Sequence, residues 1–334
     1  MYIENHLDVI NACRFCFMCR HLDPVGNVTF READTPRGRA LICDRIRMDR
    51  SELCQPDFID ALYRSALSAA NRFHCVSHYD ETALVLAARR DIAEAGFAPE
   101  CVNALVQTLE KTAFTVKGKG RVLYAGGNPG LYPGCKTIAG GDPGKALEVL
   151  GFAAASRKVL ARFKKAVAAS ACKTLVAAEP SSYHFLKDKF PGIKVVHSAE
   201  YLRGAAAGGA DSLARDFAVK PAPVRKTAVY LESDFLKNYC GNPSAPRDLL
   251  NALGYDLLPF GTNDEESYAV GEGAVVFDDL NPGLCAKLCA RVYDLAAGLG
   301  PARFITASAY VRNTLKKYNP AFDIITLEEA VLNP

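Results

Sequence analysis

The chain has 334 residues, of which 49% are hydrophobic and 23% are charged, as in ordinary soluble globular proteins. Its net charge of +3 is too small to indicate a nucleic-acid partner. No apolar run is long enough to predict a membrane span, which leaves peripheral association open, and the start MYIENHLDVI is not a secretory signal. Twelve cysteines without such a signal therefore predict a cytoplasmic protein whose thiols bind metal or stay free.

Helical patterns dominate the first third of the chain. Residues 1–110 contain twelve arginines and no lysine, and lysine becomes common from Lys111 onward. This change and the Gly/Lys segment at 117–120 predict a first domain over residues 1–117. Its expected helices span residues 5–22, 36–48, 57–70 and 81–95.

A cysteine motif lies near the start of this domain. The segment CRFCFMCRHLDP places Cys13, Cys16 and Cys19 at C-x2-C-x2-C spacing, with Asp23 where a fourth cysteine would complete the bacterial ferredoxin signature. Three soft thiolates so close together suit an iron–sulfur cluster or a thiophilic metal. The motif therefore indicates electron transfer.

A degenerate second motif follows. Counting back from Cys75 by the motif's own spacing gives Ser65, Ser68 and Asn71. In two-cluster ferredoxins the fourth cysteine of each motif binds the other motif's cluster. Under this exchange one ligand set keeps only cysteines, and the other, with Asp23, keeps none. The sequence predicts one [4Fe–4S] cluster beside an emptied second site, with the ligands Cys13, Cys16, Cys19 and Cys75.

Other ligand sets stay open. A [3Fe–4S] or zinc site could use the three motif cysteines, and zinc would take a fourth ligand such as His21 or Cys43. Phe15, Phe17 and Met18 lie between the ligands and would keep water from a cluster. Thr35 and Pro36 predict a helix start, whose arginines lie either beside the cluster or at a solvated helix end.

Beyond residue 120, short β runs alternate with helices, which predicts parallel sheets built from βαβ units. Two α/β domains are expected, over residues 118–220 and 221–334, separated by AAAGGA and KPAPVRK. The expected strands are RVLYA, TLVAA, KVVHS, TAVYL, DLLPF, AVVFDD, RFITA and DIITL. The expected helices are residues 144–170, 181–189, 246–253, 283–298 and 309–317.

The segments CRFCFMCRHLDP, EADTPRGRALI, LYRSAL and HCV resemble the N-terminal ferredoxin domain of the iron–sulfur subunits of glycolate oxidase and anaerobic glycerol-3-phosphate dehydrogenase. Heterodisulfide reductase subunits with the cysteine-rich CCG domain are related to these. The resemblance implies an α-helical ferredoxin-like [4Fe–4S] domain followed by two cysteine-rich α/β domains. In the family, each of those two carries a Cys-Cys-Gly and a Cys-Pro-x-Cys motif.

The α/β part is similar to that pair in the order of its segments but lacks the cysteines. The noncubane cluster of heterodisulfide reductases is therefore not expected, and Cys285 and Cys289 are predicted to pack a helix face. At the family's cysteine motifs this chain has Ala139-Gly140-Gly141, Glu179-Pro180-Ser181-Ser182, Asp234, Tyr268-Ala269-Val270-Gly271, and Ser308 with Val311.

The resemblance implies an electron-transfer subunit that relays single electrons through one cluster. Its partners would be an FAD-linked oxidoreductase of a 2-hydroxy acid or of glycerol 3-phosphate and a further electron carrier. One alternative is a structural or assembly subunit of a heterodisulfide-reductase-like complex. Another is an enzyme that uses the vacated pockets through Asp234, Glu179 or His184.

Two other features have weaker functional interpretations. The Gly-rich segment YAGGNPGLYPG at 124–134 follows a strand, but it fits neither the dinucleotide-binding nor the P-loop pattern. His184 and His197 are predicted to be structural or surface residues rather than ligands.

Overall fold

The computed structural model describes residues 1–13, 16–132, 134–206, 226–242, 244–300 and 302–332. These residues form a mixed α/β fold with two mainly parallel sheets, as the alternation of strands and helices predicts. Within these ranges, every helix is too short or too polar to cross a membrane. The boundary expected at residue 220, between the two predicted α/β domains, lies outside the described residues.

The secondary-structure elements are numbered in chain order. The helices are α1 (Leu7–Ala12), α2 (Pro24–Thr29), α3 (Pro36–Met48), α4 (Pro56–Tyr63), α5 (Glu81–Glu94), α6 (Glu100–Leu109), α7 (Lys145–Val149), α8 (Ala153–Ser170), α9 (Pro180–Leu186), α10 (Ser198–Ala206), α11 (Ser244–Ala252), α12 (Phe277–Leu280), α13 (Pro282–Ala297), α14 (Ala309–Tyr318) and α15 (Leu327–Leu332). The strands are β1 (Thr115–Lys117), β2 (Val122–Ala125), β3 (Lys136–Ala139), β4 (Thr174–Ala177), β5 (Lys194–His197), β6 (Lys226–Leu231), β7 (Tyr255–Leu258), β8 (Arg303–Thr306) and β9 (Ile324–Thr326).

The chain divides into two compact units. The helical unit consists of Met1–Thr112, Asp142–Leu160 and Asp264–Arg291, and the α/β unit of Ala113–Gly141, Ala161–Asn263 and Val292–Pro334. The domains expected from sequence are continuous, whereas these units are not. The difference arises because 142–160 and 264–291 belong to the helical unit although sheet segments precede them in the chain.

Capping residues begin two long helices of the helical unit. At the start of α3 the Thr35 side chain accepts a hydrogen bond from the Gly38 N–H, and Pro36 is the first helical residue. At the start of α5 Asp80 accepts from the Ala83 N–H at 3.0 Å. Arg39 of α3 is 1% exposed and donates to Glu81 of α5, so a buried ion pair joins the two helices. The predicted helices at 36–48 and 81–95 are confirmed.

Two other helices predicted within residues 1–117 are interrupted, and the helix predicted at 144–170 is divided into α7 and α8. The helix expected at 57–70 ends with α4 at Tyr63, because Leu67 and Ala69 have left-handed backbone angles, with φ of 50° and 57°. Of the helix expected at 5–22, only α1 is an α-helix, and residues 16–22 form a turn followed by a short 3₁₀ helix. The two interruptions within residues 1–117 fall within the two cysteine-motif segments.

The α/β unit repeats one strand arrangement. The first sheet has the order β1-β3-β2-β4-β5 and the second β7-β6-β8-β9, with every pairing parallel except the antiparallel pairing of β1 with β3. Tyr124 of β2 pairs with Val176 of β4 as Tyr230 of β6 pairs with Ile305 of β8. These four residues belong to one apolar core, so the two similar halves fold around shared packing.

The strand predicted for AVVFDD at 274–279 is wrong. Ala274 ends a 3₁₀ turn and α12 begins at Phe277, while Gly271 and Val275 have φ of 92° and 63°. Positive φ angles are incompatible with an extended strand. A Cβ on Gly273 would lie 2.1 Å from the Leu67 carbonyl oxygen, so this segment packs closely on the loop of the degenerate second motif.

Candidate metal centre

One pocket of the helical unit contains all four predicted cysteine ligands. About 300 Å³ of space, part of it open solvent, is lined by Cys13, Cys16, Met18, Cys19, Cys75, Val76, Ser77 and Tyr79. Cys19 and Cys75 are buried, whereas Cys16 is exposed. The pocket therefore has cysteine thiols from its buried wall to its mouth, and the fold brings Cys75 beside the three cysteines of the N-terminal motif.

Turns present these cysteines. The Cys13 N–H donates to the Ile10 carbonyl at 3.2 Å where α1 ends, and the Cys75 N–H donates to the Asn71 carbonyl at 3.2 Å. His78 donates back to the Cys75 carbonyl at 2.9 Å and has a left-handed φ of 47°. This turn directs the chain past the pocket toward Tyr79 and the start of α5.

The Cys19 sulfur lies beside the N-terminus of α3 in the folded chain. The backbone N–H of Arg37 donates to its sulfur, but burial dominates and raises the pKa of the Cys19 thiol to about 12. A metal must therefore displace a proton from this thiol at neutral pH. The helix N-terminus stabilises negative charge, so this position suits a thiolate once the proton has left.

The residues around the motif have separate roles. Met18 lines the pocket and is 46% exposed, so it covers the mouth only in part. Phe17 is 62% exposed and lies under the Arg37 guanidinium, 4.2 Å from the ring centroid. Arg37 is thus near the motif, as one of the two interpretations expects. Phe15 lies outside the described residues.

The other proposed fourth ligands do not line the pocket. Cys43 is fully buried within α3. The His21 ring packs against His74 with centroids 5.2 Å apart, and His74 contacts Glu265 at 2.9 Å. Among the candidates for the fourth ligand, Cys75 is the one that the fold places with the other three cysteines.

The spacing of the cysteines bears on the kind of metal. In the described part of the chain, no three His, Cys, Asp or Glu side chains stand close enough to hold one ion. A tetrahedral zinc with Zn–S bonds of 2.3 Å needs sulfur atoms about 3.8 Å apart. The four cysteines therefore line one pocket without the arrangement that a single zinc ion needs.

Both carboxylate oxygens of Asp23 accept hydrogen bonds from the protein. Asp23 begins α2 by accepting from the Gly26 N–H at 2.8 Å, and its other carboxylate oxygen accepts from Arg39. Arg39 also donates to Glu81 and to the Asp34 carbonyl. Burial raises the pKa of Glu81, and Asp23 adds to that rise while Arg39 opposes it. Asp23 therefore serves a buried ionic network.

The two serines of the degenerate motif also have protein contacts, whereas the buried Asn71 amide nitrogen has no hydrogen-bond partner among the described residues. Ser65 and Ser68 are buried, and their hydroxyls accept from the N–H groups two residues later. The buried Arg89 guanidinium donates to the carbonyls of Ser65, Leu62 and Val149. A cation and backbone contacts thus surround the segment where a second cluster would need thiolates.

In the α/β unit, two residues that the resemblance assigns to Cys-Pro-x-Cys motifs bind each other. Glu179 accepts from the Ser308 hydroxyl at 2.8 Å and from the Ala309 N–H at 2.9 Å. Desolvation raises the pKa of Glu179 to about 7, against hydrogen bonds that lower it. Tyr268 to Gly271, which the resemblance places near the second Cys-Cys-Gly, belong instead to the helical unit.

The Gly-rich segment of the α/β unit surrounds a carboxylate. Glu328 is 5% exposed and accepts from the Tyr124 and Tyr132 hydroxyls at 2.8 Å and from the Asn128 amide at 3.0 Å. Burial is the largest influence on the pKa of Glu328 and raises it. An acidic group here disfavours a phosphate ligand.

The remaining candidates have structural contacts. His197 is buried, accepts from the Ala199 N–H and donates to the Ala178 carbonyl, and burial lowers its pKa to about 4. Cys285 and Cys289 are fully buried on α13, as expected for helix packing. All twelve cysteines are free thiols.

The sequence reasoning did not identify Tyr79 as part of the site. It is 4% exposed and lines the cysteine pocket, and its hydroxyl has no hydrogen-bond partner among the described residues. Burial raises the pKa of this hydroxyl, with further increases from Glu81, Cys19 and Cys13. Its place four residues after Cys75 was the signal available in the sequence.

Comparison with protein-family models, with curated proteins and with solved structures found no match. The resemblance to iron–sulfur subunits therefore rests on the sequence motifs alone.

Proposed function

We propose that this chain is an electron-transfer iron–sulfur subunit. One [4Fe–4S] cluster would be held in the helical unit, which is then a ferredoxin-like domain, and the α/β unit would be a pair of cysteine-rich-type domains without their clusters. The observation that carries this proposal is the pocket lined by Cys13, Cys16, Cys19 and Cys75. Burial of a tyrosine hydroxyl without a partner in its wall also favours a ligand there.

When bound, the cluster would accept and release one electron at a time. The protein's part is to bind and shield it. The N–H groups at the start of α3 would stabilise the negative charge at Cys19. The exposed Cys16, Met18 and Val76 would form the side through which an electron enters or leaves, since Val76 is 73% exposed at the pocket wall.

The partners would be a cytoplasmic FAD-linked dehydrogenase of a 2-hydroxy acid or of glycerol 3-phosphate, as the donor, and a separate electron carrier, as the acceptor. With one cluster, both must approach the mouth of the same pocket. This arrangement would make the relay shorter than in complexes whose subunits hold several clusters.

A second candidate is a structural or assembly subunit. It is favoured by the α/β unit, where Glu179 binds Ser308 and Glu328 binds two tyrosines, contacts that hold the fold without a cofactor. These two functions differ in what they require of the helical unit, because a purely structural subunit needs no cluster.

Iron and acid-labile sulfide analysis of anaerobically purified chain tests the proposal. We expect about four irons and four sulfides per chain, and the EPR signal of one reduced cubane after dithionite treatment. Anaerobic reconstitution that yields neither iron nor sulfide would contradict it. Zinc at one ion per chain would contradict it equally.

Reduction by substrate tests the relay itself. A co-purified flavoprotein should transfer electrons from glycolate or glycerol 3-phosphate to the cluster, followed by the EPR signal. A loaded cluster that stays oxidised in the presence of the reduced flavoprotein would support the structural role instead.

A further inference from the structure

The wall of the cysteine pocket contains one buried donor without an acceptor. Tyr79 is 4% exposed, yet its hydroxyl oxygen makes no hydrogen bond to any described residue. A buried hydroxyl without a partner costs free energy, because it has lost its hydrogen bonds to water and gained none in their place. Native proteins retain few such groups, and an unplaced ligand is one of the usual reasons for them.

The backbone around Tyr79 fixes its position relative to the cysteines. Before Tyr79, the His78 N–H donates to the Cys75 carbonyl and closes a turn. After Tyr79, the Asp80 side chain caps α5 by accepting from the Ala83 N–H. The Glu81 N–H donates to the Tyr79 carbonyl at 3.1 Å. Tyr79 is therefore held between a ligand turn and a helix N-terminus.

The surroundings of the Tyr79 side chain point to the pocket as the place of its acceptor. Tyr79 lines the space that the four cysteines enclose, and Cys19 and Cys13 are among the groups that act on its hydroxyl electrostatically. The thiols themselves accept no hydrogen bond from it. A sulfide of a cluster in that space, or a cysteine sulfur once it binds iron, would give the Tyr79 hydroxyl the acceptor that it lacks.

We propose that the Tyr79 hydroxyl donates a hydrogen bond to a sulfur of the [4Fe–4S] cluster and raises the cluster's reduction potential. This inference rests on the proposed function. Hydrogen bonds to cluster sulfurs stabilise the reduced, more negative state and are a recognised determinant of potential. Tyr79 would thus contact the cluster and set the driving force of the relay without binding iron.

The test is an EPR-monitored redox titration of the cluster in wild type, Tyr79→Phe and a matched control. Phe retains the ring and removes only the donor. At the ambient potential where half of the wild-type clusters are reduced, the ratio of reduced to oxidised cluster should fall about fivefold in Tyr79→Phe, the factor for one net hydrogen bond. Iron content should stay at the wild-type level.

The control is Tyr63→Phe. Tyr63 is another buried tyrosine of the helical unit, but its hydroxyl donates to the Leu150 carbonyl at 3.0 Å and it does not line the pocket. Its loss should leave the potential unchanged. An equal shift in both variants would show a general effect of destabilisation and overturn the proposal.

Site-specific replacement of Tyr79 by 3-fluorotyrosine gives an independent measurement should Tyr79→Phe fold poorly. The fluorinated phenol nearly conserves shape and is a stronger donor, so the potential should rise, opposite to the effect of Phe. A potential that does not move in a loaded Tyr79 variant refutes the hydrogen bond and leaves the proposed function standing. A wild-type chain that cannot be loaded refutes the proposed function itself.

Discussion

The cysteine pocket and the contacts of Glu179 and Asp23 differ in how their polar groups are paired. In the α/β unit, Glu179, which the resemblance places at a cysteine motif, binds Ser308. In the helical unit, Asp23 likewise has Arg39, but the cysteine pocket contains the Tyr79 hydroxyl without one. Among the described residues, buried polar atoms without a partner also occur at Asn71 and Tyr255, so the contrast concerns the Glu179 and Asp23 contacts and the cysteine pocket, not the two units as wholes.

The largest effect is expected from removing one cysteine of the pocket. Cys75→Ala removes the predicted fourth ligand, and a cubane with three protein ligands is easily lost or converted to a [3Fe–4S] form. We expect the content of iron to fall to three per chain or fewer and the cubane EPR signal to disappear. The measurement is iron and sulfide content after anaerobic reconstitution.

Cys54→Ala is the matched control for that experiment. Cys54 is an exposed cysteine of the same unit whose thiol donates to the Ser51 carbonyl, and it does not line the pocket. It should retain the wild-type cluster. Full loading of Cys75→Ala would show that the fourth ligand lies elsewhere and would remove the basis for the ligand exchange.

The second prediction concerns the completed site around Asp23. Arg39→Met keeps an apolar stem of similar length but leaves Asp23 and Glu81 buried without their cation. Removing one partner of a buried ionic network destabilises by about 3–5 kcal/mol. Hydrogen exchange of the α5 amides measures this free energy for the helical unit by itself.

Two further variants sharpen that result. Arg45→Met removes an arginine that is 54% exposed and paired with Glu52, and it should change stability little. Combining Arg39→Met with Asp23→Asn and Glu81→Gln should recover much of the loss, because no carboxylate charge remains buried. An Arg39→Met protein as stable as wild type would mean that the two carboxylates need no cation.

The sequence was informative where local patterns decide the structure. Thr35 and Pro36 predicted the start of α3, and motif spacing selected Cys75 before the fold placed it in the pocket. It was uninformative where distant contacts decide. The network of Asp23 with Arg39 and Glu81 joins three helices, and no short pattern encodes it.

The misassigned AVVFDD segment shows the same limit. A buried apolar run reads equally well as a strand or as a tightly packed turn. Here the deciding interaction is with a loop some two hundred positions earlier in the chain, which Gly273 approaches. The discontinuous helical unit has the same cause, since its late segments are recruited by packing rather than by a local signal.

The third prediction tests that close approach. Gly273→Ala would place a methyl group 2.1 Å from the Leu67 carbonyl oxygen, so backbone must move, at a cost of about 1–3 kcal/mol. Hydrogen exchange in α4 and α5 measures it. Gly283→Ala in α13 meets no atom within 4 Å and should be neutral or stabilising by up to about 1 kcal/mol. Equal effects would show that the segment does not rest on the Leu67 loop.

The smallest expected effect concerns Glu179 in the completed contact of the α/β unit. Its pKa of about 7 lies above the ordinary 4.5, so the folded state binds this proton more tightly than the unfolded state. The stabilisation is complete below pH 4.5 and is lost as the pH rises to 7. Because Glu179 is half-buried, the loss should be about 1–2 kcal/mol, less than the shift alone implies.

Comparison with Glu179→Gln isolates this effect, because glutamine does not titrate. His197, whose pKa of about 4 is lowered, removes stability as the pH falls from 6.5 to 4 in both proteins, so its contribution cancels in the difference. Relative to wild type, Glu179→Gln should therefore become more stable by that 1–2 kcal/mol between pH 4.5 and 7.5 in urea unfolding followed by circular dichroism. If the difference in unfolding free energy between the two proteins does not change with pH, Ser308 and the N-terminus of α14 fully compensate the charge of Glu179. Glu179 would then be stabilised as an anion by its contacts, as Asp23 is by Arg39.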